Sequence, residues 1–225
     1  MIVLIGGEKG GTGKSTIATN LAARLAGGGR DVLVLDADRQ STSANWAAER
    51  AEQAELPAVH CVQRYGNLFR AIQDLRTRYE EIVIDAGGHD SEELRSAMAI
   101  ADKLYSPVRA SQSDLWTIEH LAKLVALAQA FNCDLKASVV VSMAPTNPRI
   151  REREDALELL KELQELRVAK AVIHERKAYR DAMREGRSVV EMEDVKASRE
   201  IESLVKEIWG GKAIQSKRRQ VAGAA

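Results

Sequence analysis

The chain has 225 residues, enough to bury one complete α/β core and short for two independent ones. Its 33 Lys and Arg balance its 33 Asp and Glu, which excludes a global field that draws it to nucleic acid or lipid and leaves any such attraction to local patches. Cys61 and Cys133 lie far apart, and the four histidines are scattered, which excludes a Cys-x-x-Cys or zinc-type cluster and fits a reducing cytoplasm.

In chain order, Ile2 to Ile5 predicts a buried strand, too short an apolar run for a signal segment or a spanning helix. Gly-rich residues 6 to 13 then lead into a helix over Ser15 to Ala26, where Ile17, Leu21 and Leu25 recur at helical spacing. A second strand, Asp31 to Asp36, is followed by a polar stretch and a helix from about Ala44. Glu80 to Asp85 repeats the pattern of an apolar strand ending in an acid, with Ala86-Gly87-Gly88 after it. Asp90, Glu92 and Glu93 read as the first-turn acids of a helix. Further strands are expected near Lys103 to Val108, Ala137 to Ser142 and Ala169 to Ile173, with helices over Leu115 to Phe131, Ile150 to Leu166 and Arg199 to Trp209. Alternating β and α predicts an α/β fold, a mostly parallel twisted sheet flanked by helices on both faces. Residues 1–210 form the predicted domain, and 211–225 a loose basic tail carrying Lys212, Lys217, Arg218 and Arg219.

Residues Gly10-Gly11-Thr12-Gly13-Lys14-Ser15-Thr16 sit between a strand and a helix. In that context backbone N–H groups and the helix N-terminus cradle phosphate oxygens. Lys14 then reaches the β and γ phosphates, and the Ser15 hydroxyl is placed for Mg²⁺. Glu8 stands where the standard phosphate loop has its first glycine, and Lys9 precedes Gly10. Asp36, Asp38 and Asp85 all fall at strand ends, where ligands of open parallel sheets collect.

The Lys-Gly-Gly-x-Gly-Lys-Ser/Thr arrangement from Lys9 to Thr16 resembles the deviant Walker A motif of the ParA/MinD ATPases. The resemblance runs over most of residues 1 to 210 and is nearest to short plasmid-type ParA proteins. It implies a Mg-dependent ATPase using ATP and Mg²⁺, with Lys9, Gly10, Gly11, Thr12, Gly13, Lys14, Ser15 and Thr16 on the nucleotide. Lys9 is implied to cross a dimer interface to the partner's nucleotide, which makes Lys9, Lys14 and Asp38 the catalytic set. Asp36 in Asp-Ala-Asp-Arg-Gln supports hydrated Mg²⁺ with Ser15 and the Walker B candidate Asp85, while Asp38 positions the attacking water. Arg39 replaces the family's proline and Ser41 its glycine, so a less rigid first switch is expected. Asn147, in the loop from Met143 to Pro148, is the adenine candidate.

The resemblance also implies an ATP-bound homodimer, non-specific DNA as a partner, a ParB-like centromere-binding or cargo adaptor protein, and a cytoplasmic, nucleoid-associated location. For DNA the sequence offers Arg176, Arg180, Arg184 and Arg187, spaced for one helical face, in a stretch with five basic and two acidic residues. The rival reading is a MinD-like membrane-cycling ATPase, which needs a basic amphipathic C-terminal helix. Glu200, Glu202 and Glu207 line the polar side of the last helix, so no membrane is expected as a partner.

Overall fold

The computed structural model describes residues 1–109, 112–147, 154, 158, 163 and 165–210. Among them run seven strands: β1 (Ile2–Ile5), β2 (Val32–Ala37), β3 (His60–Gln63), β4 (Glu81–Ala86), β5 (Lys103–Val108), β6 (Lys136–Ala144) and β7 (Leu166–His174). All pair in parallel, in the order β3-β2-β4-β1-β5-β6-β7. The described helices are α1 (Lys14–Gly27), α2 (Thr42–Ala51), α3 (Phe69–Leu75), α4 (Glu92–Met98), α5 (Gln112–Gln129), α6 (Lys177–Arg184) and α7 (Val195–Trp209). The α/β expectation holds. The helix expected over Ile150 to Leu166 falls largely outside the described residues, and Leu166 itself opens β7. The tail over 211–225 also lies outside them.

The central strands are built on apolar runs because both their faces are covered. Alternate residues feed opposite cores: Val3 and Ile5 pack with α1, α2, α6 and α7, whereas Ile2 and Leu4 pack with the side of α3, α4 and α5. The interior side chains of β1 are fully buried from Val3 to Ile5, each contributing about 1.5–3 kcal/mol relative to exposure.

Two helix starts show why local sequence sets the ends. Ser91 accepts a hydrogen bond from Leu94 N at 3.1 Å, and Glu92 and Glu93 follow in the first turn of α4, as their charge predicts. Asp194 caps α7 by accepting from Lys196 N and Ala197 N, which begins that helix four residues before the expected Arg199.

Parallel pairing sends the carboxyl ends of all seven strands to one edge. The register of β2 and β4 sets Asp36 directly opposite Asp85, and that of β1 and β4 sets Ile5 beside Asp85. Two carboxylates are thereby delivered to the point where the chain leaves β1 for its glycine loop.

Candidate functional site

The loop after β1 closes on itself. Lys14 Nζ donates to the Lys9 carbonyl at 2.7 Å, Thr12 Oγ1 donates to the same carbonyl at 3.4 Å, and Ser142 Oγ of β6 donates to the Thr12 carbonyl at 2.8 Å. Gly13 ends the loop at φ 87°, a left-handed turn that glycine adopts freely, and a Cβ there would press on Ser142 Oγ at 3.2 Å. α1 follows with no side-chain cap on its first turn, which leaves its N–H groups directed at the cleft.

Across that cleft stand the acids. Asp36 is fully buried; its Oδ2 accepts from Ala44 N at 2.8 Å and its Oδ1 from Asp38 N at 3.1 Å. Burial raises its pKa, and the backbone N–H groups of Ala44, Asp38 and Ser43 only partly offset that rise. Asp38, at the rim, accepts from Gln40 N at 3.0 Å. Asp85 is fully buried too: Ser43 Oγ donates to its Oδ2 at 2.6 Å, and among the described residues its Oδ1 has no hydrogen-bond partner. Burial pushes its carboxyl up to about 7, against the pull of the Ser43 and Ser15 hydroxyls. Lys14 is buried as well, and desolvation lowers its pKa despite the nearby charges of Asp85 and Asp38.

These residues fit a Mg²⁺-nucleotide. An orphaned carboxylate oxygen, a serine hydroxyl beside it and an uncapped helix are polar groups awaiting a cation and an anion together. No cluster of three or more metal-ligating side chains occurs among the described residues, in keeping with Mg²⁺ sites that use one or two carboxylates plus phosphates and water. The cleft holds ≈ 570 Å³ and is walled by the glycine loop, Lys14, Ser15, Asp38, Gln40 and Gly88.

The segments after β2 and β4 both wall the cleft, and the second touches the loop. Gly88 lies so close that a Cβ would come within 2.7 Å of Gly10 N, so only glycine lets the segment after β4 rest on the loop backbone. Ser41 takes φ 55°, the left-handed geometry that the customary glycine would adopt, and Gln63 Nε2 donates to its hydroxyl at 2.6 Å. Arg39 stacks over the Tyr65 ring at 5.1 Å. The two departures that predict a looser first switch are thus each braced by a side chain.

A second, more apolar cavity of ≈ 290 Å³ opens off the same loop at Gly13 and Thr16. Its walls include Met143, Ile173, Arg176 and Tyr179; Asn147, expected to contact the base, is exposed and belongs to the walls of neither cavity. Ser142 and Met143, near the end of β6 at Ala144, are the residues of that stretch that line the apolar cavity.

The four arginines do not share one helical face. α6 ends at Arg184, Gly186 turns the chain at φ 63°, and Arg187 beyond it pairs with Glu55 at 2.6 Å. Arg176 precedes the helix and is held by Glu200 at 2.7 Å with 16% of its side chain exposed. Arg180 and Arg184 project outward, 66% and 74% exposed.

Several contacts escaped the sequence. Arg109 Nη2 donates to the Gly11 carbonyl at 3.0 Å, and Glu8 hydrogen-bonds His120 of α5. Ser43 and Ser142, which hold Asp85 and the loop, sit in stretches without any motif, so only the fold could find them.

Comparison with known proteins agrees with this geometry. Residues 3–189 match the CobQ/CobB/MinD/ParA nucleotide binding domain. A maintenance of carboxysome distribution protein A from Halothiobacillus neapolitanus is 28% identical over 191 residues, 82% of this chain and 84% of that protein. Among solved structures, apo McdA from Cyanothece superposes with a TM-score of 0.76 at 17% identity, covering 92% of this chain and 98% of that one. A putative plasmid partition protein from Borrelia burgdorferi B31 bound to AMPPNP gives 0.71 at 20% identity, again over 92% and 98%. A phosphate loop, two strand-end acids set opposite each other and a match across most of its length place this chain in the CobQ/CobB/MinD/ParA nucleotide-binding family.

Proposed function

We propose that this chain is an ATP-hydrolysing switch that dimerises on ATP, holds a non-specific DNA surface in that state, and is reset by a partner protein to position a cargo. The observation that carries the reading is the convergence of Lys14, Asp36, Asp38 and the half-satisfied Asp85 on an uncapped helix N-terminus. Backbone amides from Gly10 to Thr16 and the Lys14 ammonium bind the β and γ phosphates; Ser15, Asp36 and Asp85 are the groups for Mg²⁺. When bound, that ion neutralises charge on the phosphates. Asp38, at the rim and fixed by its own turn, orients the attacking water. Lys9 lies beside the exposed glycines of the loop, the face a second copy would meet, and supplies positive charge across that interface.

The base of the nucleotide fits the apolar cavity beside Gly13 and Thr16, two residues that also wall the phosphate cleft. A carboxysome-distribution relative and a plasmid-partition fold neighbour support a positioning task and differ in cargo. A DNA surface is favoured over a lipid one by a specific contact: Ile201, Leu204, Val205 and Ile208 of α7 are buried in the core with the sheet, so the apolar stripe that would anchor a membrane is already covered. No described helix is long and apolar enough to cross a membrane.

The test is retention of purified protein on mixed-sequence duplex DNA and on anionic liposomes, each without nucleotide, with ADP, and with ATP plus Mg²⁺. ATP-dependent retention on DNA alone is expected; retention on liposomes alone would replace this reading with the membrane cycle. Asp38→Ala should keep nucleotide-dependent retention while turnover falls by about 10²-fold or more. Lys9→Ala should bind ATP yet stay monomeric by light scattering, and a full-strength dimer would remove its role in trans.

A further inference from the structure

The apolar cavity beside the phosphate loop has one wall that depends on a residue outside it. Glu200, in the middle of α7, gathers donors from three neighbouring positions. His174 donates its backbone N–H to Oε2 at 3.2 Å, and its Nδ1 lies 2.8 Å from Oε1. Arg176 Nε and Nη2 both donate to Oε1, at 2.9 and 2.7 Å, and the Tyr179 hydroxyl donates to Oε2 at 2.9 Å. The carboxylate is 11% exposed, and each of these partners also lines the cavity.

We infer that Glu200 is the positioning residue of the base subsite: it fixes Arg176, His174 and Tyr179 as one wall, against which the base of the bound nucleotide packs. The inference rests on the reading of that cavity as the base subsite.

Without this anchor the end of β7, the N-cap of α6 and the first turn of α6 would lose their common acceptor. A guanidinium freed there would turn into an apolar cavity or out to solvent, and either way the wall would no longer be preformed. Preorganisation of this kind is expressed in affinity for the group the wall receives. The phosphate loop is built from other contacts, those of Lys9, Thr12 and Ser142, so its grip on phosphate should not follow Glu200. The arrangement also assigns Arg176 to the nucleotide side of the molecule, since its guanidinium is committed to Glu200.

The experiment compares Mg-ATP with Mg-tripolyphosphate by calorimetry on the full chain, wild type and Glu200→Ala. ATP should bind wild-type protein at least tenfold more tightly than tripolyphosphate, and the variant should lose about tenfold of ATP affinity while tripolyphosphate affinity stays within about twofold. Glu200→Gln keeps an acceptor for both Arg176 N–H groups and should recover part of the loss. Should wild type bind the two ligands equally, the cavity is no base subsite and the inference falls with it. A clear wild-type preference for ATP that Glu200→Ala leaves intact would overturn the role of Glu200 alone. If that variant does not fold, Arg176→Gln and Tyr179→Phe each delete fewer donors and must shrink the same preference, or the assignment is wrong.

Discussion

Two groups of buried charge in this molecule are held in opposite ways. On the α2 side, Arg50 is 2% exposed and saturated in that every nitrogen donates: its guanidinium bonds Glu191 at 2.7 and 2.9 Å, the Gly186 and Pro57 carbonyls at 3.0 Å each, and stacks over Trp46 at 5.3 Å. At the edge of the sheet Asp85 is equally buried, yet one oxygen has no partner among the described residues and its carboxyl is pushed to about 7. A saturated ion pair is frame, because nothing further can be gained by adding a ligand. An unsaturated acid beside an uncapped helix is a site, because a cation and a phosphate together complete what the chain leaves open.

The largest effect should come from breaking the frame. Arg50→Ala removes one member of a buried pair and strands Glu191 along with two carbonyls, at a cost of about 3–5 kcal/mol. Thermal melting should then drop by roughly 10 °C in a chain of this size. A melting point within a degree or two of wild type would show that α2 and the segment after α6 are not held together by this contact.

The site should respond in the other direction. In nucleotide-free, Mg²⁺-free protein, Asp85→Asn relieves a carboxyl that burial penalises, and should stabilise the fold by on the order of 2 kcal/mol at pH 8. The sign follows from the titration: Asp85 ionises near 3.8 when unfolded and near about 7 when folded, so the wild type binds the extra proton in the native state. Its stability therefore falls relative to the variant as pH rises through that interval, reaches the full difference above about 7, and shows none of it below about 3.8. Equal melting points at pH 8 would mean that Asp85 is not strained by its surroundings. The same variant should lose Mg²⁺-dependent nucleotide binding, because the group that destabilises the apo protein is the one the cation needs.

This division explains what the sequence disclosed. The strand acids Asp36 and Asp85 and the loop from Lys9 to Thr16 were legible because phosphate chemistry demands fixed residue types at fixed spacing. β1, β2 and β4 were legible because both faces of each are covered, leaving unbroken apolar runs, and β5 because Ser106 alone interrupts its apolar stretch from Leu104 to Val108. β3 went unread: it is an edge strand, and in His60-Cys61-Val62-Gln63 none of the four residues is buried, so neither a run nor an alternation marks it. The frame was not legible either. Arg50 and Glu191 are 141 positions apart, and Glu200 reads in the sequence as the polar side of an amphipathic helix, whereas in the fold it accepts from His174, Arg176 and Tyr179. Long-range pairs leave no spacing to read.

The smallest expected effect tests the part of the arginine-rich segment that belongs to neither group. Arg176 and Arg187 are tied down by Glu200 and Glu55, which leaves Arg180 and Arg184 as the exposed guanidinium groups of α6. Their partners, Glu175 at 3.5 Å, Glu185 at 3.3 Å and Asp181 at 3.8 Å, are surface pairs, each worth well under about 1 kcal/mol and readily exchanged for phosphate. Replacing both arginines with glutamine should leave melting unchanged and weaken ATP-dependent DNA retention. The slope of log affinity against log salt should fall by up to about two, one counterion for each lost phosphate contact. Arg176→Gln should alter that slope little while weakening ATP binding. If it instead lowered the salt slope as much as Arg180→Gln does, Arg176 would have to leave Glu200 when DNA binds, and the line between saturated frame and open site would move with the nucleotide state.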